Sequence, residues 1–191
     1  MQIFIKDDVT NETYKRIANF SKLEIVTDKP SANNYFIYDT NGLSFVKDSI
    51  NPKEVLHVDF LKGALGWRLK RVNHERNLRK ALGKTDKELS IFDSTAGLLT
   101  DTMIFLSLGH KVVAVEQSKI IYSLVKDAIL RAKNKIPELK NLTESGENLV
   151  KDFFDLEYKK IILKRPLKYR KNYSNINYQV LGKTTRFDIY L

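Results

Sequence analysis

Asp93, Gly97 and Glu116 are the residues whose types and spacing suggest chemistry. They fall in Ile91-Phe92-Asp93-Ser94-Thr95-Ala96-Gly97-Leu98-Leu99-Thr100-Asp101 and in Val112-Val113-Ala114-Val115-Glu116-Gln117. The pattern reads as a strand end, a turn of small residues, a helix start and then a second strand. Backbone N–H groups at such a helix start point into the crevice where nucleotide-like ligands bind. Gly97 lets the backbone approach a ligand that a Cβ would push away. Glu116 stands nineteen residues further on, where an acidic side chain can accept hydrogen bonds from both hydroxyls of a ribose. A single glycine is a poor match to G-x-G-x-x-G, which argues against a pyrophosphate ligand. S-adenosylmethionine carries no phosphate and suits an acidic or polar loop. The competing reading is a plain α/β domain in which Gly97 merely ends a strand and Glu116 is solvated.

Two basic clusters interleaved with aromatics could meet nucleic acid. The first holds Lys62, Trp67, Arg68, Lys70, Arg71, Arg76, Arg79 and Lys80, a set of phosphate-contacting cations around the only tryptophan. The second holds Lys164, Arg165, Lys168, Arg170 and Lys171 with Tyr169 and Tyr173. Either can equally be the solvated face of an ordinary element. His57, His74 and His110 are dispersed without ligand spacing, so no metal site is expected. Ser, His and Asp occur in no arrangement suggesting a nucleophile elbow.

The elements that must position these residues follow from periodicity. QIFIKD predicts a strand, and Thr10 to Phe20 a short helix capped by Thr10 or Asn11. KLEIVTD comes next, then NYFIYDTNGLSFVKD, a hairpin signal in which Asn41-Gly42 supplies the positive φ angles of a tight turn. Asn51-Pro52 punctuates the end of a small α+β unit, residues 1–55. From residue 56 onward the alternation is that of a parallel sheet with crossover helices. LSIFDST and HKVVAVEQ read as strands, and Thr100 to Leu108 as the helix between them. Ser118 to Lys133 is a second helix, with Ser118 as N-cap and one apolar stripe. Lys159 to Leu163 is a third strand candidate, and NYQVLG and TRFDIYL pair around Gly182-Lys183, with Phe187 and Tyr190 in the core.

The 191 residues allow one full domain plus a small appendage, and a hydrophobic share of 42% allows a sizeable core. No apolar run approaches a membrane span, and MQIFIKDDVTNETYK lacks the features of a signal peptide. With no cysteine there are no disulfides and no zinc–thiolate site, which fits the cytoplasm. Thirty-three basic against 23 acidic residues give a net charge of +10, a field favouring polyanions and nucleic acid above all. A basic surface serving only solubility is the bland alternative.

These residues carry a resemblance. DSTAGLLTDTMIFLSLGHKVVAVEQS resembles the D-A-T-A-G-L-G-R-D…A-S-L-G…V…E-R signature of bacterial 16S ribosomal RNA (guanine-N2) methyltransferases of the RsmJ type. VDFLKGALGWR…LRKALG resembles that family's V-D-F-x-x-G-x-x-x-x-R…K-A-x-G segment. IILKRP and GKTTRFDIY resemble its V-V-V-K-R-P and G-K-S-x-R-F-D-x-Y, and NGLSFVKD its D-G-L-x-L hairpin. The resemblance covers nearly the whole chain in order. It implies a Rossmann-like class I SAM-dependent methyltransferase fold (α/β) over residues 56–191, S-adenosyl-L-methionine as cofactor, and ribosomal RNA or the small ribosomal subunit as partner. Cofactor contacts carried over by position fall on Thr100 and Asp101, on Glu116 and Gln117, and on Glu147-Asn148 before Leu149. Arginine is usual where Thr100 and Gln117 stand, and GENL also reads as an ordinary helix start. Asp93 and Gly97 complete the expected pocket. Trp67, Arg68, Lys70, Arg71, Lys164 and Arg165 are the expected RNA contacts.

One part of the pattern is missing. The resemblance implies an Asp-Pro-x-Phe-Pro motif that would hold the guanine amine beside the methyl donor, desolvated and aimed. The four prolines are Pro30, Pro52, Pro137 and Pro166, and none follows an Asp. GENLVKDFF runs directly into DLEYKKIILKRP, leaving no room for a strand, a catalytic loop and a crossover helix. Two readings stay open: an intact protein with a further central segment, whose absence would leave widely spaced neighbouring Cα atoms near residues 150–158, and a shortened, non-catalytic RNA-binding relative. A methyltransferase of some other substrate is a third. No residue of this sequence can be named as catalytic.

Overall fold

In the computed structural model, residues 1–6, 8–10, 12–31, 33–51, 54–83, 87–144, 159–168 and 175–191 are described. The N-terminal part comprises β1 (Gln2–Ile5), α1 (Thr13–Ser21), β2 (Glu24–Val26), β3 (Tyr35–Asp39), β4 (Gly42–Val46) and β5 (Val55–His57). Its strands form one sheet in the order β2-β1-β3-β4-β5, parallel around β1 and antiparallel from β3 onward. The sheet therefore continues past Pro52, and the expected boundary at residue 55 falls within β5. Helix α1 begins at Thr13 after Glu12, without a side-chain cap. Thr10 does not cap it, and Asn11 lies outside the described residues. In the hairpin, Asp39 pairs with Gly42 across Thr40-Asn41, and Gly42 takes φ +105° while Asn41 does not enter positive φ.

The basic stretch folds into α2 (Gly63–Lys70), a 3₁₀ turn (Val72–His74) and α3 (Arg76–Leu82). The expected Rossmann-like alternation follows as β6 (Ser90–Asp93), α4 (Thr100–Ser107), β7 (Lys111–Ala114), α5 (Lys119–Ala132) and β8 (Leu142–Glu144). These three strands are all parallel, in the order β6-β7-β8. Such crossovers set the loops that follow β6 and β7 along one sheet edge. Ser118 caps α5 as expected, its Oγ accepting from Ile121 N at 3.4 Å. The apolar stripe of that helix buries Leu124, Val125, Ala128 and Ala132.

β8 escaped sequence reading because it is only Leu142–Glu144, at the end of a polar run. The strand expected at Lys159–Leu163 is β9 (Ile161–Pro166), and it does not extend the parallel set. It pairs antiparallel with β11 (Thr185–Tyr190), which in turn pairs with β10 (Tyr178–Leu181) as the expected C-terminal hairpin. One apolar cluster runs through all parts, from Ile3, Phe36 and Leu43 through Met103, Leu106 and Leu124 to Phe187 and Ile189. Among the described residues no helix is long and apolar enough to cross a membrane.

Candidate functional site

The loop between β6 and α4 is held by backbone bonds to the strand beside it. Val115 N donates to Asp93 O at 2.9 Å, and Ala96 N donates to Val115 O at 3.1 Å. Gly97 adopts φ +52°, and the place its Cβ would occupy has no atom nearer than Thr95 O at 4.0 Å. The loop thus presents bare backbone to open space. Leu99 follows at φ +57°, buried, in a left-handed conformation a branched side chain rarely takes. Strain of this kind, about 1–3 kcal/mol, persists where the surroundings enforce it and gathers at functional loops.

Three carboxylates surround that loop. Asp93 Oδ2 accepts from Thr102 Oγ1 at 2.6 Å, and its Oδ1 from Thr95 N at 3.3 Å. Glu116 Oε2 accepts from Gly97 N at 2.9 Å and its Oε1 from Ser118 N at 2.6 Å. Asp101, in the first turn of α4, pairs with Lys164 of β9 through Oδ2. Its Oδ1 is buried and has no hydrogen-bond partner among the described residues; Arg68 Nη2, at 3.6 Å, is too distant for one. The first turn of α4 also has no side-chain cap, so its amides remain free to meet a carboxylate.

Of the expected cofactor residues, Asp93, Gly97, Thr100, Asp101 and Glu116 therefore lie on the loops and helix start at one sheet edge. Gln117 is at the same edge but exposed. Glu147 and Asn148 lie outside the described residues, as does the expected spacing break near 150–158. Thr102 was not anticipated. It is fully buried and orients Asp93 from the inner face of α4; its place one helical turn from Leu99 was the available sign.

The expected RNA contacts divide. Trp67 is 59% exposed, with the Arg71 guanidinium 4.7 Å from its ring centre, and Lys70 is exposed on the same helix. Arg68 instead forks onto Glu75 with bonds of 2.7 and 2.9 Å and leans towards Asp101. Glu75 pushes its already high pKa further up. Lys164 is tied to Asp101. Arg165 is 6% exposed and 3.3 Å from Asp188, so it cannot present its charge to a phosphate. Strand alternation turns neighbouring residues of β9 to opposite faces, so Lys164 and Arg165 cannot share one surface. Residues 169–174, with the tyrosines of the second cluster, lie outside the described residues. No group of His, Cys, Asp and Glu fit to hold a metal occurs among the described residues.

A family described as putative SAM-dependent methyltransferase matches residues 18–152. Among curated relatives, the ribosomal RNA small subunit methyltransferase J of Alkalilimnicola ehrlichii is 31% identical over 126 residues, 64% of this chain and 48% of the relative. Those of Desulfotalea psychrophila (32% over 125 residues, 62% and 48%) and Alcanivorax borkumensis (41% over 80 residues, 40% and 32%) are similar as well. The chain spans about half the length of the first two relatives and a third of the last. A crystal structure of a SAM-dependent methyltransferase from Neisseria gonorrhoeae superposes with a TM-score of 0.79 at 23% identity, covering 100% of this chain and 96% of that one. This likeness shows the fold expected from the sequence.

Proposed function

Because this chain belongs to the putative SAM-dependent methyltransferase family, we propose that it binds S-adenosylmethionine at the ends of β6 and β7 and serves methylation of a guanine N2 amine in small-subunit ribosomal RNA. The observation that carries the cofactor reading is the open edge itself: bare backbone at Gly97, Glu116 beside it, and Asp101 in the first turn of α4. These residues fit the molecule. Glu116 would take the ribose hydroxyls, Asp101 the ammonium of the methionine end, and the uncapped start of α4 its carboxylate. When bound, the cofactor supplies an electrophilic methyl group. The chain's own residues bind and orient it, with Thr102 fixing Asp93 and Ser118 fixing Glu116.

The substrate reading rests on the printed function of the relatives, the +10 charge and the exposed Trp67–Arg71 pair. The relatives are named as methyltransferases, which favours an enzyme over a non-catalytic RNA binder. Catalysis is assigned to no residue here, since the sequence carries no Asp-Pro-x-Phe-Pro motif. We assign the N-terminal α+β unit to the residues up to the end of β5 and the remainder to the cofactor domain, in a cytoplasmic protein. Calorimetry with S-adenosylmethionine and S-adenosylhomocysteine tests the first part, and label transfer from methyl-labelled cofactor to small ribosomal subunits by the full-length protein tests the second. Absence of binding sinks the cofactor reading; binding without transfer to RNA sinks the substrate reading.

A further inference from the structure

Asp101 differs from the other carboxylates of the site in what neutralises it. Asp93 and Glu116 are held by neutral donors, the Thr102 hydroxyl and the backbone amides of Thr95, Gly97 and Ser118. Asp101 is met instead by two cations from elements remote in sequence. Lys164 of β9 bonds its Oδ2, and Arg68 of α2 stands 3.6 Å from its Oδ1. Elements α2, α4 and β9 thus converge on one side chain. The sequence resemblance places Asp101 with the cofactor and Lys164 with RNA; the fold joins the two.

The two cations are not equivalent. Arg68 is forked onto Glu75 at 2.7 and 2.9 Å, a contact that does not depend on Asp101. Lys164 bonds no other group among the described residues, and its side chain is 43% exposed. Its ammonium rides on a flexible four-carbon stem. An ion pair this open to water contributes little, so Lys164 can leave Asp101 at small cost.

The register of β9 decides what a released Lys164 could meet. Its cross-strand neighbour is Phe187, which is apolar. The carboxylate of Asp188 belongs to the other face of the sheet, where it holds Arg165 and Arg186. A Lys164 ammonium freed from Asp101 therefore turns to solvent beside the cofactor edge, where a phosphate could take it.

We infer that Lys164 is an exchangeable counter-ion that couples the two ligands. In the free protein it neutralises Asp101. It yields that carboxylate to the ammonium of the cofactor's methionine end, and its own charge then serves an RNA phosphate. The exchange is of ion pairs alone, with no covalent change. Cofactor and RNA then bind with positive coupling, and by linkage each raises the affinity of the other by the same factor. The inference rests on the reading of Asp101 as a cofactor residue and of RNA as the substrate. A Lys164 that merely braced Asp101 would act with the opposite sign, since its loss would weaken cofactor binding.

The sign is read by calorimetry on the full chain, Lys164→Met and Lys164→Arg. The ligands are S-adenosylhomocysteine and 5′-methylthioadenosine, which keeps the nucleoside but lacks the amino-acid end. Lys164→Met should bind S-adenosylhomocysteine about three- to fivefold tighter, the scale of one half-exposed ion pair, and 5′-methylthioadenosine unchanged. Lys164→Arg keeps the cation and should stay close to wild type, and thermal melts of both variants should match it. Fluorescence anisotropy of a short single-stranded RNA, with and without saturating S-adenosylhomocysteine, reads the coupling. In wild type the ligand should raise RNA affinity by about three- to fivefold and steepen the slope of log K against log salt by about 0.7, one further phosphate contact. Neither change should occur in Lys164→Met. Equal or weaker S-adenosylhomocysteine binding by Lys164→Met, or equal tightening of 5′-methylthioadenosine, overturns the exchange while the cofactor reading stands. RNA affinity indifferent to the ligand overturns the coupling while RNA binding stands. Failure of wild type to bind S-adenosylhomocysteine, or to bind any RNA, overturns the inference together with the reading beneath it.

Discussion

The amide of Gly97 donates to Glu116 Oε2 at 2.9 Å, while the other oxygen of that carboxylate holds Ser118 N at 2.6 Å. One side chain thus ties the loop after β6 to the start of α5. An ionised carboxylate offers about four lone-pair sites, and two amides use only half of them. Glu116 can therefore fix the crevice and still accept from a ribose, so recognition and local rigidity depend on the same atoms.

Glu116→Ala should weaken S-adenosylhomocysteine binding by about 100-fold or more, since hydrogen bonds to a charged group are worth about 1.5–3 kcal/mol each. Glu116→Gln keeps one acceptor and should cost less, about tenfold. Isothermal calorimetry measures both. Binding that is untouched in the Ala variant would remove Glu116 from the cofactor site.

The N-terminal sheet is bolted to α5 by Asp127, which is completely buried. Its Oδ2 accepts from Leu43 N at 2.9 Å and from Arg131 Nε at 2.7 Å, and Arg131 Nη2 reaches Val58 O at 2.5 Å. Removing the buried partner leaves Arg131, about a quarter exposed, without its counter-charge and Leu43 N without its acceptor, which together cost about 2–4 kcal/mol. Asp127→Ala should therefore lower the free energy of unfolding by an amount of that order, and with it the urea midpoint. Gly42→Ala should destabilise as well, because φ +105° disfavours a side chain and the added Cβ would stand 2.6 Å from Asp127 Oδ2. If Asp127→Ala leaves the midpoint in place, this bolt contributes nothing to holding the two parts together.

Strongly periodic segments were legible in the sequence. The stripe and Ser118 cap of α5, the strands around Asp93 and Ala114, and both hairpins follow from local rules that packing did not override. Tertiary pairing was not legible. The short β8 has too few residues for a period, and β9 looked like another parallel strand until its antiparallel partner β11 was seen. At the site, Glu116 and Asp101 could be found because spacing places them at a strand end and a helix start. Thr102 was missed because its hydroxyl meets Asp93 only once α4 packs against β6, and its place one turn from Leu99 was the only sign of it. The basic clusters misled in part, because charge alone does not tell an exposed cation from Arg68 or Arg165, each committed to a carboxylate inside the fold.

His110 should make stability sensitive to mild acid. It is 7% exposed, and burial pushes its pKa below the ordinary 6.5. Leu89 N lies 3.3 Å from Nδ1 and donates to it, which requires that nitrogen to be unprotonated. The unfolded chain thus binds a proton at higher pH than the native one. The native state is favoured above about pH 6.5, loses stability as pH falls through that value, and stops losing it below the lowered native pKa. Urea melts between about pH 7 and pH 5 should show this slope, and His110→Gln should remove its share. An identical slope in the variant assigns the effect to other groups.

The basic surface of α2 should act by stacking and by charge, and salt separates the two. Trp67→Ala removes an aromatic face worth about 1–3 kcal/mol per stacked base, so affinity for single-stranded RNA should fall while the slope of log K against log salt stays the same. Lys70→Ala removes a cation free to meet a phosphate, and the slope should drop by about 0.7. Arg165→Met is the opposing case. Its charge is buried against Asp188, so substitution should leave the salt slope unchanged and lower thermal stability instead. Anisotropy titrations at several salt concentrations, beside a thermal melt of each variant, give both quantities. A reduced slope in Arg165→Met with unchanged stability would place that guanidinium on the RNA surface, against the burial that now hides it.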